Sequence, residues 1–238
     1  MTSTLTEPNL IEILANGQQM PCFSSRREPT VLADIYQEDI NIAIWQRQFD
    51  QPLVDATNQF ITSHPNFHKS LNVSPESAYE TLQYATDGNA PELLLRNIAE
   101  LVDMFCYLFE LEDAGLRLAT LNSAMCPRFH VDQVPCRLVT TYHGTATQWL
   151  ANNAIDRSKL GRGSNGLPDA ESGLYNAEND IQHLSVGDVA LLKGERWIGN
   201  ENKGLVHRSP NIQSSETRLL LTLDLGNCGF LLAKIESK

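Results

Sequence analysis

Long hydrophobic runs are missing from this sequence of 238 residues. No segment approaches the roughly 20 consecutive apolar residues that a membrane-spanning helix requires, so we expect no membrane association. The N-terminus also lacks a basic stretch followed by an apolar block, which is the pattern of a secretory signal peptide. The sequence therefore predicts a cytoplasmic protein.

Basic residues are scarce as well. The chain has 18 Lys and Arg residues against 29 Asp and Glu residues, which gives a formal net charge of −11. A nucleic-acid-binding surface needs clustered cations to contact phosphates, and here the cations are dispersed. We therefore expect no nucleic-acid partner.

Cysteine usage argues against two further classes of protein. The five cysteines are odd in number and include no C-x-x-C pair, so we expect reduced thiols rather than a disulfide framework or a structural zinc knuckle. Cys126 and Cys136 flank a candidate metal site, where thiolates would favour zinc. Pro127 and Pro135 instead indicate that these cysteines stand at the two ends of one strand, and we interpret them as structural.

The composition that is present is that of a globular protein, with 42% hydrophobic and 20% charged residues. Proline and glycine punctuate residues 1–30, where we expect an irregular lead-in. Apolar residues at helical spacing predict two helices between residues 34 and 64, and the strongest predicted helix covers residues 93–111. Residues 31–114 are therefore predicted to form a helical N-terminal region.

From residue 115 onward the pattern changes to short strands separated by turn residues. The predicted strands cover residues 116–121, 137–142, 189–192, 217–225 and 230–235. Such strands favour an antiparallel sandwich or barrel with the helices packed on its outer face, which makes the fold class α+β. Residues 151–182 are too long for an ordinary connection and form either a lid or binding element or a solvated insertion without a role.

His130 and Asp132 are the first candidate metal ligands. They are two residues apart, so on a strand their side chains would leave the same face and could bind one ion. His207, in a short predicted strand that ends at Pro210, could supply a third ligand. Two imidazoles and one carboxylate leave three octahedral positions open, which is the arrangement of non-haem Fe(II) oxygenases.

Arg218 is the fourth candidate site residue. It begins an apolar strand, where an unpaired charge is costly. A guanidinium binds a carboxylate through two hydrogen bonds, which suits one end of a dicarboxylic cosubstrate whose other end binds the metal. Alternatively, the side chain reaches solvent or pairs with Glu216.

Residues 116–225 resemble the double-stranded β-helix core (jelly roll, cupin-like) of Fe(II)/2-oxoglutarate-dependent oxygenases, whose pattern is His-x-Asp, a distant His and then an Arg. More closely, the segments CPRFHVD (126–132), GDVALLKG (187–194) and VHRSP (206–210) resemble an uncharacterised bacterial family catalogued as domain of unknown function 1826. This closer resemblance covers most of the chain and implies no established activity.

The oxygenase resemblance implies a set of Fe(II) ligands followed by a 2-oxoglutarate anchor: His130, Asp132, His207 and Arg218. Many such enzymes carry Ser or Thr two residues after the arginine, where this chain has Leu220. Thr222 and Tyr142 are the candidates for the missing hydroxyl.

The resemblance also implies a catalytic core over residues 115–238, with a loop insertion at about 151–182. The implied function is that of a dioxygenase, an oxidoreductase that hydroxylates an unknown small-molecule or peptide substrate. One alternative is a cupin-like protein that binds zinc or another divalent metal without redox turnover. Another is that the metal residues are vestigial and the helices mediate protein contacts. The sequence gives no indication of the oligomeric state.

Overall fold

The computed structural model describes residues 23–212 and 216–225. Most of the predicted lead-in and the whole of the strand predicted at residues 230–235 lie outside the described residues. None of the described helices has the length and apolar character needed to span a bilayer.

The described residues contain three α-helices and ten strands. The helices are α1 (Gln51–Ser63), α2 (Ala78–Ala85) and α3 (Glu92–Phe109). The strands are β1 (Phe23–Arg26), β2 (Ile42–Trp45), β3 (His68–Val73), β4 (Ala114–Leu121), β5 (Cys136–His143), β6 (Gln148–Leu150), β7 (Ile181–His183), β8 (Val189–Lys193), β9 (Val206–Arg208) and β10 (Arg218–Leu225). A 3₁₀ segment, Pro29–Tyr36, lies between β1 and β2.

The strands form two sheets. The larger has the order β1-β2-β8-β5-β10-β4-β3 and the smaller has the order β7-β6-β9. All pairings are antiparallel except that of β1 with β2. A single bridge from His130 to His207 extends the smaller sheet beyond β9.

The two faces of the larger sheet are buried against different partners. Successive strand residues point to opposite faces. Leu219, Leu221 and Leu223 of β10 enter a core with the helices, whereas Leu220 joins a second cluster that includes Trp149 of the smaller sheet. The molecule therefore has three layers, namely helices, larger sheet and smaller sheet.

The predicted helices at 51–63 and 92–109 are confirmed. At the start of α1, the side chain of Asp50 accepts a hydrogen bond from the backbone N–H of Leu53 (3.1 Å), and a proline lies in the first turn. Helix α3 buries a broad apolar face that includes Leu94, Ile98 and Phe105. Burying each such side chain contributes about 1.5–3 kcal/mol, which holds the helix against the sheet.

The predicted first helix between residues 34 and 50 is wrong, because Ile42–Trp45 is strand β2. Ala43 faces the helical core, while Ile42 and Ile44 face the second cluster. A strand covered on both faces is continuously apolar and cannot be told from a buried helix by its periodicity. Because β2 pairs with β8 and β3 pairs with β4, the predicted helical region also contributes strands to the larger sheet.

Candidate metal centre

The structure brings His130, Asp132 and His207 together. One ligand atom from each lies within 4.8 Å of the others. Nε2 of His207 is 3.4 Å from Oδ2 of Asp132, and Nε2 of His130 is 3.8 Å from Oδ1 of Asp132. Two imidazole nitrogens and a carboxylate therefore converge on one point, as a metal site requires.

The backbone places the two imidazoles side by side. The N–H of His130 donates to the carbonyl of His207, and the N–H of His207 donates back, both at 3.0 Å. Nδ1 of His130 lies 2.9 Å from the carbonyl of Arg128, and Nδ1 of His207 lies 3.2 Å from that of Leu205. A carbonyl only accepts, so each Nδ1 is assigned the proton and each Nε2 keeps a lone pair for a metal.

Burial favours the neutral form of His207, lowering the pKa of its imidazole below the ordinary value, although the Asp132 charge opposes the shift. A neutral imidazole is the form that binds a metal ion. The donor set and its protonation therefore fit a divalent cation of the transition series.

The expectation that a regular strand aligns His130 with Asp132 is wrong. His130 forms only the single bridge, and Asp132 lies in the loop that follows. Asp132 is held instead by Arg137, whose Nη1 donates to Oδ2 at 2.8 Å. Arg137 in turn donates to both carboxylate oxygens of Asp224, at 2.7 and 2.9 Å. These three hydrogen bonds of Arg137 fix the orientation of the Asp132 carboxylate.

Arg218 is fully buried on the cleft side of β10. Its Nη2 donates to Oγ1 of Thr147 (2.9 Å) and of Thr141 (3.1 Å), and its Nη1 donates to Oγ of Ser209 (3.3 Å). Nε has no hydrogen-bond partner among the described residues. Burial lowers the pKa of the guanidinium to about 10, while the Glu216 charge opposes the shift, so Arg218 remains a cation at neutral pH.

Of the two alternatives for Arg218, the one in which it reaches solvent is wrong, whereas the negative charge of Glu216 does act on the guanidinium. The side chain does not reach solvent. Glu216 accepts hydrogen bonds from the backbone N and Oγ1 of Thr145, at 2.8 and 2.6 Å. A buried guanidinium whose hydrogen bonds in the described residues go to neutral hydroxyls retains the capacity to bind an anion.

The two hydroxyls proposed from the sequence lie on opposite faces of the larger sheet. Thr222 lines the cleft, on the same face as Leu220. Tyr142 requires a correction, because it points into the helical core, stacks on Phe49 and donates from its hydroxyl to Oδ1 of Asn97 at 2.8 Å. Its place in β5 has the opposite parity to the residues that face the cleft.

Sequence reasoning missed the hydroxyls that do contact Arg218. Ser209 follows His207 at a spacing of two, and Thr141 shares strand parity with Arg137, so both had a detectable signal. Thr147 lies just before β6, and nothing in its sequence context marks it.

These side chains surround a cleft of about 80 Å³ between the two sheets. Its lining includes both histidines of the candidate metal site, the hydroxyl-bearing residues Thr147 and Ser209, and an apolar group. The apolar members are Ala119, Met125, Val139, Leu192 and Leu220. The cleft therefore combines two residues of the candidate metal site with a largely apolar wall.

The insertion at 151–182 is attached to the segments that carry the candidate metal ligands. Its Asp169, whose side chain is 8% exposed, accepts a hydrogen bond from the backbone N of Phe129 at 2.9 Å and from Nη1 of Arg208 at 3.2 Å. It also forms an ion pair with Nε of Arg128 at 3.5 Å. These contacts adjoin His130 and His207 in the sequence, so the solvated-insertion interpretation does not describe this part of the loop.

The placement of the two flanking cysteines corrects another expectation. Cys136 begins β5 and is buried, whereas Cys126 is exposed in a loop and lines the cleft. They do not stand at the two ends of one strand.

A family model described as "Protein of unknown function (DUF1826)" matches residues 26–224. The chain belongs to this family. A comparison with curated proteins finds no match.

Solved structures similar to this DUF1826 protein include a dioxygenase and a hydroxylase at low sequence identity. Dioxygenase for auxin oxidation 1 from Arabidopsis thaliana, in a binary complex with 2-oxoglutarate, has 10% identity and a TM-score of 0.50, with 87% of this chain and 92% of that chain covered. A prolyl-4-hydroxylase from Pseudomonas putida has 14% identity and a TM-score of 0.41, with 84% and 98% covered. At such identities the likeness concerns the fold and not the activity.

Proposed function

We propose that this protein is an Fe(II)/2-oxoglutarate-dependent oxygenase that hydroxylates a small-molecule or peptide substrate. The observation that carries the proposal is the joint arrangement of the triad and Arg218. Two Nε2 atoms and the Asp132 carboxylate converge beside a cleft, and two residues that line it, Thr147 and Ser209, accept hydrogen bonds from the buried guanidinium of Arg218. A metal and a dicarboxylate are the two ligands that this arrangement complements.

The sheet order supports a double-stranded β-helix core. The larger sheet contains the consecutive strands β8, β5, β10 and β4, and the smaller layer contains the His130 bridge, β9, β6 and β7. Two facing layers of four strands are the plan of a jelly roll, and in the smaller layer the single bridge at His130 takes the place of the fourth strand. The remaining strands, β1, β2 and β3, extend the larger sheet at its edges.

Each group of the chain then has a role. His130, Asp132 and His207 would hold Fe(II), and Arg137 would keep the carboxylate oriented. Arg218, with the hydroxyl of Ser209 beside it, would bind the far carboxylate of 2-oxoglutarate. When bound, Fe(II) and 2-oxoglutarate supply the oxidising chemistry: O2 and the cosubstrate are consumed, succinate and CO2 are released, and one oxygen atom enters the substrate.

The proposed function is tested by anaerobic titration of the protein with Fe(II) and 2-oxoglutarate, followed by exposure to O2. We expect a visible charge-transfer band that requires both ligands and succinate that requires O2. His130→Ala should abolish the band. A protein that binds zinc or Fe(II) through the triad but shows neither the band nor succinate is a metal-binding protein without redox turnover, and the oxygenase proposal then fails.

A further inference from the structure

The cleft carries positive charge although the protein is acidic. Three arginines, Arg117, Arg137 and Arg208, contribute to its lining, whereas the chain as a whole has a net charge of −11. An arginine in a cleft is either neutralised by a neighbouring carboxylate or available to an anionic ligand. The contacts of the three side chains distinguish these cases.

Two of the three arginines have carboxylate partners. Arg137 forms ion pairs with Asp132 and Asp224, at 2.8 and 2.7 Å. Arg208 forms an ion pair with Asp169 at 3.2 Å and donates from Nε to Gln148 at 2.7 Å. Their charges are therefore used within the protein.

Arg117 differs from both. Its polar contact is a long hydrogen bond from Nε to Oγ of Ser70, at 3.5 Å, and no ion pair is formed by Arg117 within the part of the chain that the structure describes. The side chain is half-buried, so it is partly shielded from solvent while remaining accessible. A partly desolvated guanidinium without a carboxylate binds an anion more strongly than a fully solvated one.

The strand register separates Arg117 from the proposed cosubstrate anchor. Arg117 lies opposite Thr222 on β10, whereas Arg218 lies opposite Leu121, four residues further along β4. At about 3.3 Å per residue, the two arginine positions are roughly 13 Å apart along the sheet. Between them Ala119 and Leu220 form an opposed apolar pair on the cleft face.

We propose that Arg117 is an anion subsite for the substrate, which would present a carboxylate or phosphate group at one end and an apolar body to the cleft wall. This inference rests on the proposed function only in calling the bound molecule a substrate. Arg218, fully buried behind hydroxyls, would serve the cosubstrate, and Arg117, accessible from the cleft, would serve the second molecule. The half-exposed guanidinium, the absence of an ion pair in the described residues and the apolar wall beside it together define the ligand class.

The subsite is tested with three small probes that share an aromatic body: 3-phenylpropionate, phenylphosphate and the neutral 3-phenylpropan-1-ol. Their dissociation constants are measured by ligand-detected NMR on the metal-loaded full chain. We expect the better anionic probe to bind at least about ten times more tightly than the alcohol. Whichever anion has the lower dissociation constant identifies carboxylate or phosphate as the preferred group.

The variants locate the binding. Arg117→Met should remove the preference for anions, and Arg117→Lys should retain part of it because the charge remains. Arg27→Met, an exposed arginine outside the cleft lining, is the matched control and should bind as the wild type does. Arg218→Met should keep the preference, since the probe is expected at Arg117.

The inference is overturned if the wild type does not distinguish anions from the alcohol. It is also overturned if the preference survives in Arg117→Met, because the anion would then bind elsewhere, or if it is lost in Arg218→Met, because the anion would then depend on the cosubstrate anchor. Failure of the oxygenase proposal is detected separately. A missing charge-transfer band with the Arg117-dependent preference intact would leave an anion-binding cleft without oxygenase activity.

Discussion

Replacing Arg218 with methionine should make the ligand-free protein more stable while removing its response to 2-oxoglutarate. The pKa of the guanidinium is lowered by burial to about 10, well below its ordinary value. Because a tenfold change in an equilibrium constant corresponds to about 1.4 kcal/mol, burying this charge costs roughly 3 kcal/mol. Methionine fills a similar volume and carries no charge.

The direction of this stability change follows from the difference in proton binding between the folded and unfolded states. The pKa of Arg218 is lower in the folded state than in the unfolded state, so the unfolded chain binds the proton more tightly. Below about pH 10 both states are protonated and the full cost of burying the charge is present; this cost would decline only as the pH rises above about 10. At neutral pH the hydroxyl hydrogen bonds of Thr141, Thr147 and Ser209 offset part of this cost. We expect a net gain of about 1–3 kcal/mol in Arg218→Met.

The assay is urea unfolding of metal-loaded protein under anaerobic conditions, with and without 2-oxoglutarate. At a concentration 100 times the Kd, the cosubstrate should stabilise the wild type by about 2.7 kcal/mol and leave Arg218→Met unchanged. Arg218→Lys is the control, because it keeps the buried charge but lacks the two-pronged donor geometry. If Arg218→Met instead destabilises the ligand-free protein by more than about 1 kcal/mol, the arginine is a structural hydrogen-bond centre and the reasoning is refuted.

Three further changes test other parts of the site. Arg137→Met should weaken metal binding by about 10–100-fold, because Asp132 loses the donor that orients it, and a Co(II) titration that gave equal or tighter binding would contradict this role. Cys126 should react rapidly with a thiol reagent in a protein that lacks Cys22 and Cys228, and an anionic probe bound in the cleft should slow the reaction; labelling of buried Cys136 at a similar rate would be inconsistent with the structure. Asp169→Ala should release the insertion and accelerate proteolysis within residues 151–182, as measured by mass spectrometry of the first fragments; an unchanged cleavage rate would show that the tether does not restrain the loop.

The parts of the fold that were predictable carry a local signal. Helix α3 has a long apolar face whose residues recur at helical spacing, and β10 has the apolar pattern of a strand, so both elements were predicted. Strand β2 was misread because it is short and covered on both sides, and its partner β8 lies far away in the sequence. Pairing between distant segments leaves no local trace when alternation is absent.

The candidate site was likewise predictable only in part. His130, Asp132, His207 and Arg218 were identified by residue type and order, and the structure brings the three ligands together. Strand parity was the wrong reason for the position of Asp132, since that residue lies in a loop. Its position depends on contacts that the local sequence does not encode.

Asp224 illustrates why those contacts could not be foreseen. Arg137 and Asp224 are neighbours only because β5 and β10 pair in a register that places them opposite each other. A one-residue slip in that register would turn Asp224 to the helical face and leave Arg137 with Asp132 alone. The orientation of a metal ligand thus depends on the register of two strands 87 residues apart in the sequence, as well as on the ligand motif itself. The same register sets Thr222 between Arg117 and Val139, so the sheet that fixes the metal end of the cleft also fixes the distance from it to the proposed anion subsite.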